Sequence, residues 1–174
     1  MDHPLFLAQE PFYQAHRPFK NGACRRDLPI DARLARVMED RARQHGSLTP
    51  DHAFLHQSRG IAHLLGPAPT PLVVTTGTGS GETEAFLLPV IQNAIQDATA
   101  YNRSGLTAIL VYPMNALAND QLLRIGEYLD GSGFAGAIGV RQYDRGTSQT
   151  DREAMLRNPN QPTMVHRLPT SGGR

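Results

Sequence analysis

Leu72-Val73-Val74-Thr75-Thr76-Gly77-Thr78-Gly79-Ser80-Gly81-Glu82-Thr83-Glu84 is the stretch whose reading decides the fold. The β-branched run Val73, Val74, Thr75 predicts a buried strand. The glycines from Gly77 to Gly81 predict a turn, and the Ala-, Phe-, Leu- and Ile-rich residues after them a helix. Strand, glycine loop and helix in that order present backbone N–H groups to a phosphate at a helix N-terminus. Glycines let the main chain wrap the anion with no Cβ in the way, and Thr83 is placed to put a hydroxyl on Mg²⁺. A cradle of this kind carries a lysine just before that hydroxyl residue. Glu82 stands there instead, and Lys20 is the only lysine among 174 residues.

Downstream of the loop, Thr83 to Gln96 carries a broad apolar face (Ala85, Phe86, Leu87, Val90, Ile91, Ala94, Ile95) and reads as a helix, with a kink expected at Pro89. Asn102 to Gly105 is a turn. Leu106 to Tyr112 reads as a strand buried on both faces, ended by Pro113. Ala116 to Leu129 makes the next helix, Ala137 to Val140 a third strand, and Asp151 to Arg157 a further helix. This β-α-β-α alternation specifies a parallel sheet with helices on its faces. Upstream, Pro67 to Pro71 is a hinge, and Asp51 to Leu64 reads as a helix stopped at Gly66-Pro67. Asp31 to Gln44 is a helix capped by Asp31 and stopped at Gly46, its arginines forming a solvated face. Met1 to Leu28, with four aromatics and no periodicity, is expected to be an irregular arm.

The formal charge of +1 gives no global basic field that would argue for nucleic acid. A single cysteine, Cys24, excludes a disulfide framework and a cysteine-based metal site, as in a reducing compartment. His52, His56 and His63 share roughly one helix face, but no glutamate follows the first as a zinc helix of the H-E-x-x-H kind requires. No apolar run approaches the ~20 residues of a membrane span, and the N-terminus has no signal-peptide pattern. The expectation is a cytoplasmic protein.

Thr76 to Glu84 resembles motif I of the superfamily 2 helicases, written T-G-T-G-S-G-K-T-E. Val111-Tyr112-Pro113-Met114-Asn115-Ala116-Leu117-Ala118-Asn119-Asp120-Gln121 resembles motif Ia of the large bacterial DEAD/DEAH-like helicases of DNA repair and phage defence. Leu55-His56-Gln57 resembles the Q-motif region. The resemblance runs from about Leu34 to Pro159. It implies an incomplete RecA-like P-loop NTPase domain, α/β with a parallel sheet flanked by helices, and a helical N-terminal segment. The boundaries it suggests are an arm and helix over 1–50, the partial domain over 51–159, and a divergent, disordered tail over 160–174.

The same resemblance implies ATP with Mg²⁺ as cofactor and DNA or RNA as partner. It assigns the nucleotide to Gln57 (an amide matching the adenine edge), Thr76, Gly77, Thr78, Gly79, Ser80, Gly81, Glu82, Thr83 and Glu84, with Thr83 on the metal. Nucleic acid falls to Pro113, Asn115, Ala116 and Leu117.

Much of a helicase is missing from the sequence. No Asp-Glu-x-His or Asp-Glu-Ala-Asp occurs, so the carboxylates that hold Mg²⁺ and activate water are absent. A second RecA-like lobe is absent too. Glu82 places like charge beside phosphate, where a unit pair at ~4 Å is worth about 4 kcal/mol at an effective dielectric of 20. The expectation is therefore a truncated helicase-like chain without ATPase or helicase activity of its own. The alternatives are a non-catalytic module binding nucleic acid or a protein partner, or an NTPase that borrows Arg59 or Arg103 for the missing lysine. In RecA-like sheets the strands flanking the P-loop strand come later in the chain. A partial sheet of two or three strands, associating through open edges, is expected.

Overall fold

The computed structural model describes residues 18–76, 81–112, 115–143, 146–156 and 161–167. The sheet that organises them has three parallel strands in the order β3-β5-β4. These are β3 (Gly105–Val111), β4 (Gly139–Tyr143) and β5 (Pro162–Arg167). Register runs from Gly105 opposite Pro162 to Val111 opposite Arg167, and from Gly139 opposite Thr163 to Tyr143 opposite Arg167. Helices make the crossovers that parallel neighbours require: α4 (Asn115–Ser132) after β3 and α5 (Gln149–Leu156) after β4.

α3 (Glu82–Thr99) runs unbroken through Pro89 and packs its apolar face on β3 and β5. α1 (Ala32–Gln44) starts where Asp31 accepts a hydrogen bond from the Arg33 N–H. It lies against α4, where Gly131 allows close approach: a Cβ there would sit 2.8 Å from Val37 Cγ2. Leu34, Ile61, Leu87, Leu88, Ile91, Ile125, Tyr128 and Met164 are fully buried between these elements. Each large side chain so buried contributes about 1.5–3 kcal/mol.

Several expectations need correction. Val73 to Thr75 forms no strand, and Val73 is 84% exposed. Its β-branched residues favour a strand, yet no described strand lies alongside to complete one. β3 is not buried on both faces: it is an edge strand, and Leu106, Ile109 and Val111 are more than half exposed on it.

The helix expected from Asp51 begins only at Leu55 and ends at Leu64 (α2), because His52–Phe54 (β2) pairs antiparallel with Asn21–Cys24 (β1). That pairing and the 3₁₀ turn Arg25–Asp27 also give order to part of the expected irregular arm; residues 1–17 lie outside the described residues. Of the expected tail over 160–174, residues 162–167 are ordered into a strand, and 160 and 168–174 lie outside the described residues. Pro162–Arg167 is the central strand of the sheet, and Met164 is fully buried. A partial sheet of three strands is what forms.

Candidate functional site

The glycine loop is described through its two stems, Thr76 and Gly81, and α3 begins immediately after the second. Gly77, Thr78, Gly79 and Ser80 lie outside the described residues. Gly81 has φ +69° and ψ 39°, left-handed backbone that glycine adopts without steric penalty. It also has no room for a side chain, since a Cβ would come 2.4 Å from Gln57 Nε2.

Gln57 fastens that stem to α2. Its Nε2 donates to the Gly81 carbonyl at 2.9 Å, and its Oε1 accepts from the Phe54 N–H at 2.9 Å. The residue is only 4% exposed. One N–H and one lone pair of the amide remain beyond these two bonds, so structural tether and reader of an adenine edge are compatible duties.

Glu82, the first residue of α3, turns its carboxylate onto the opposite stem. Oε1 accepts from the Thr76 N–H at 3.0 Å and from the Thr76 hydroxyl at 2.5 Å. The Thr76 hydroxyl and N–H hold the Glu82 carboxyl below the usual carboxylate range. A negative side chain in the first helical turn is favoured by the helix dipole as well. The chain's own carboxylate thus ties the two described stems of the loop together. The described stems place the Glu82 carboxylate where the family pattern carries a lysine, and no step through ATP follows from them. Glu84 pairs with Arg124 of α4 at 3.1 Å, so the first turn of α3 is braced on that side.

Two cavities flank the stems. One of about 490 Å³ is lined by Gln57, Gly81, Glu82, Thr83 and Glu84 together with Arg25, Arg41, Arg124 and Tyr128. Its cations are engaged. Arg41 pairs with Glu127 and lies over the Tyr128 ring, and Arg124 holds Glu84. Arg25, 6% exposed, donates to the carbonyls of Thr49 and Pro50, and burial lowers its pKa. Burial likewise pushes the Tyr128 hydroxyl far up.

The second cavity, of about 620 Å³, lies against Thr75 and Thr76 and is lined by Lys20, His56 and Arg59 with Leu55, Leu72, Val73 and Val74. The predicted nucleotide residues are therefore divided, Thr76 on one side and Gln57 with 81–84 on the other. Sequence reading missed Lys20 and Arg25. A chain with one lysine, set beside Phe19, offered a signal for the first; nothing in the sequence marked the second.

Of the nucleic-acid residues, Pro113 lies outside the described residues, Asn115 and Ala116 open α4 just beyond β3, and Leu117 is partly exposed. Arg103 sits at the far end of α3 from the loop, beside Asp97 and over the Tyr101 ring, whereas Arg59 borders Thr76 across the second cavity. The histidines go separate ways. His52 meets Cys24 Sγ at 3.4 Å, His56 stacks on Phe54, and His63 contacts Thr70. Among the described residues no group of three or more His, Cys, Asp or Glu could hold a metal, and no helix is long and apolar enough to cross a membrane.

The family model described as DEAD/DEAH box helicase matches residues 54–169. The Druantia protein DruE of Escherichia coli (strain UMEA 4076-1) is 38% identical over 123 residues, which cover 68% of this chain and 7% of that protein. The ATP-dependent helicase hrq1 of Schizosaccharomyces pombe (strain 972 / ATCC 24843) is 29% identical over 120 residues, covering 67% of this chain and 10% of that one. Among solved structures, the DUF1998 helicase MrfA bound to DNA and AMPPNP matches with a TM-score of 0.62 at 26% identity. The match covers 86% of this chain and 18% of MrfA. The chain thus spans under a fifth of each of these relatives. The match through residue 169 also takes in β5, where motif reading had ended the resemblance at Pro159.

Proposed function

This chain belongs to the DEAD/DEAH box helicase family, and we propose that, on its own residues, it is a helicase-domain fragment that does not hydrolyse ATP. The family's activity is ATP-dependent unwinding of nucleic acid. The observation that carries the proposal is the Glu82 carboxylate bound to Thr76 across the loop. It sets a negative charge between the stems of the loop, which opposes the charge of a phosphate there. Recognition groups of the family are present in this stretch: the Gln57 amide for a base edge, and the start of α4 at Asn115 to Leu117 for a sugar-phosphate backbone.

Glu82→Lys tests the proposal. Removing the carboxylate and adding the cation should tighten ADP binding by at least about tenfold, which needs only ~1.4 kcal/mol. DNA-stimulated ATP hydrolysis should stay at background in both forms. Unchanged ADP affinity, measured by calorimetry, would show that the loop is not a phosphate cradle in any state. Turnover by the native chain that Thr83→Ala abolishes would show that the chain is an NTPase after all. For that second reading Arg59 is the favoured substitute for the lysine, because it borders Thr76 and Arg103 does not.

A further inference from the structure

The parallel sheet has two edges of unlike chemistry. β4 forms one, with Arg141 exposed at its middle and the Gln142 carbonyl accepting a hydrogen bond from the Thr147 hydroxyl at 3.4 Å. A charge on an edge strand is one of the means by which proteins keep sheets from joining. β3 forms the other edge. Its sequence Gly105-Leu106-Thr107-Ala108-Ile109-Leu110-Val111 carries no charge and no proline, and among the described residues no strand lies along its outer side.

The register of β3 on β5 locates the regular part of that edge. Leu106 stands opposite Thr163 and Ala108 opposite Met164, so Thr107 is an extra residue, a bulge. From Ala108 to Val111 the pairing is one to one. The bulge also sets the faces. Leu106, Ile109 and Val111 stand opposite Thr163, Val165 and Arg167, alternate residues of β5, so all three lie on one face of the sheet. All three are more than half exposed, whereas Leu110 on the other face is buried in the core with Met164.

Backbone groups along an open edge find their partners on another strand, and the apolar side chains beside them leave water in the same step. Copies of this chain can join by their sheet edges in three ways. Joining β4 to β4 sets Arg141 near its own copy, and joining β4 to β3 sets it against Ile109 or Val111. Both bring a charge onto a surface that does not neutralise it. Joining β3 to β3 does neither. It also closes on itself, since a two-fold axis uses both β3 edges, whereas β3 to β4 repeats without end.

We propose that β3 is a self-association edge. Two copies pair antiparallel along Ala108–Val111 about a two-fold axis at Leu110, with Ile109 of each copy opposite Val111 of the other. The axis at Leu110 keeps the bulge at Thr107 out of the pairing and brings the two exposed β-branched residues into contact. Two sheets of three strands become one of six. A strand pair buries less than the about 800 Å² per partner of a standard interface, so the dimer is concentration-dependent. The inference rests on the sheet and is independent of what the glycine loop binds.

Sedimentation velocity of the full chain tests it, over about a hundredfold range of concentration, wide enough to cross a dissociation constant. Monomer should give way to dimer and to nothing larger. Ile109→Lys puts a charge on the edge at an exposed position and should weaken the dimer at least about tenfold. Leu123→Lys, at an exposed apolar position of α4 away from the sheet edge, should leave the dimer unchanged. Far-UV circular dichroism verifies that both variants fold.

Disulfide crosslinking reads the register without adding a charge. In a Cys24→Ser background, an equimolar mixture of Ile109→Cys and Val111→Cys should crosslink at least about tenfold faster than either variant alone. Directly opposed residues have Cα atoms about 4.5–5.5 Å apart, within disulfide reach, and residues two positions along do not. A chain that stays monomeric throughout leaves the edge to some other partner and overturns the proposal. So does assembly beyond the dimer, equal weakening by Leu123→Lys and Ile109→Lys, or a mixture that crosslinks no faster than its components.

Discussion

Residues 72–76 and 162–167 have exchanged the places that their compositions suggest. Leu72-Val73-Val74-Thr75-Thr76 is β-branched throughout its centre and yet stands unpaired, with Val73 in water. Pro162-Thr163-Met164-Val165-His166-Arg167 begins with proline and ends with two polar residues, and yet it is the strand that both others pair with. The proline is tolerated because it is the first residue of the strand, where a missing N–H costs least. Thr163 and Met164 then sit on a sheet already flanked by α3. Strand formation in this chain follows the neighbours available, not the propensity of the segment.

The largest effect that separates the two regions is a deletion in the central strand. Met164→Ala should cost about 2–5 kcal/mol, the range for emptying a fully buried methionine site. Val73→Ala removes almost nothing from the interior and should stay within about 0.5 kcal/mol. Urea unfolding followed by far-UV circular dichroism measures both. Equal losses would mean that Val73 is covered in solution, by association through the open edge of β3 for example, and sedimentation would then show the oligomer.

Next in size is the stem between the two regions. Gly81→Ala puts a Cβ on backbone at φ +69°, which costs about 1–2 kcal/mol for an L-residue. It also drives that Cβ against Gln57 Nε2, displacing the amide that donates to the Gly81 carbonyl. Gln57→Ala should remove the tether without the backbone strain and lose less. If Gly81→Ala is neutral in the same unfolding measurement, the stem does not hold its left-handed conformation in solution.

The contrast also explains what the sequence could tell. The three-residue periodicity of Leu34, Val37 and Met38, with Asp31 before them and Gly46 after, specified α1 to within a residue at each end. The apolar run after the loop marked α3, which begins one residue before the expected Thr83 and ends three residues after the expected Gln96. For these two helices the signals, caps and periodicity, are local, whereas α2 starts late because β1 takes His52–Phe54 into a strand pair. The strand at Pro162–Arg167 escaped because only six residues mark it and its burial comes from β3, β4 and α3, all distant in sequence.

At the site, the glycines and Glu82 were legible as a cradle with the wrong charge. That Glu82 would turn back to Thr76 was not, since side-chain direction depends on how the loop closes. Lys20 and Arg59 are thirty-nine positions apart and meet only because β1 pairs with β2 and leads into α2.

The smallest expected effect concerns Glu82 itself and is read against pH. Its carboxyl is held below the ordinary glutamate value of about 4.3 by the Thr76 hydroxyl and N–H. A depressed carboxylate contributes stability that is fully present above the unfolded-state pKa and is lost as pH falls through the folded-state value. Between pH 7 and 5 the Thr76 contact should therefore be constant, and below about pH 4.3 it should weaken. Asp31 is depressed as well, by the Arg33 side chain first, so the native chain alone loses stability in the same window for two reasons. Glu82→Gln isolates the contact, because a neutral amide oxygen still accepts from Thr76 but does not titrate. The stability difference between native and Glu82→Gln should shrink from pH 5 to pH 3, while that between native and Asp31→Asn shrinks independently. A Glu82→Gln difference that does not change across that range would mean that the carboxylate does not bridge the stems, and the loop would then be open to an external anion.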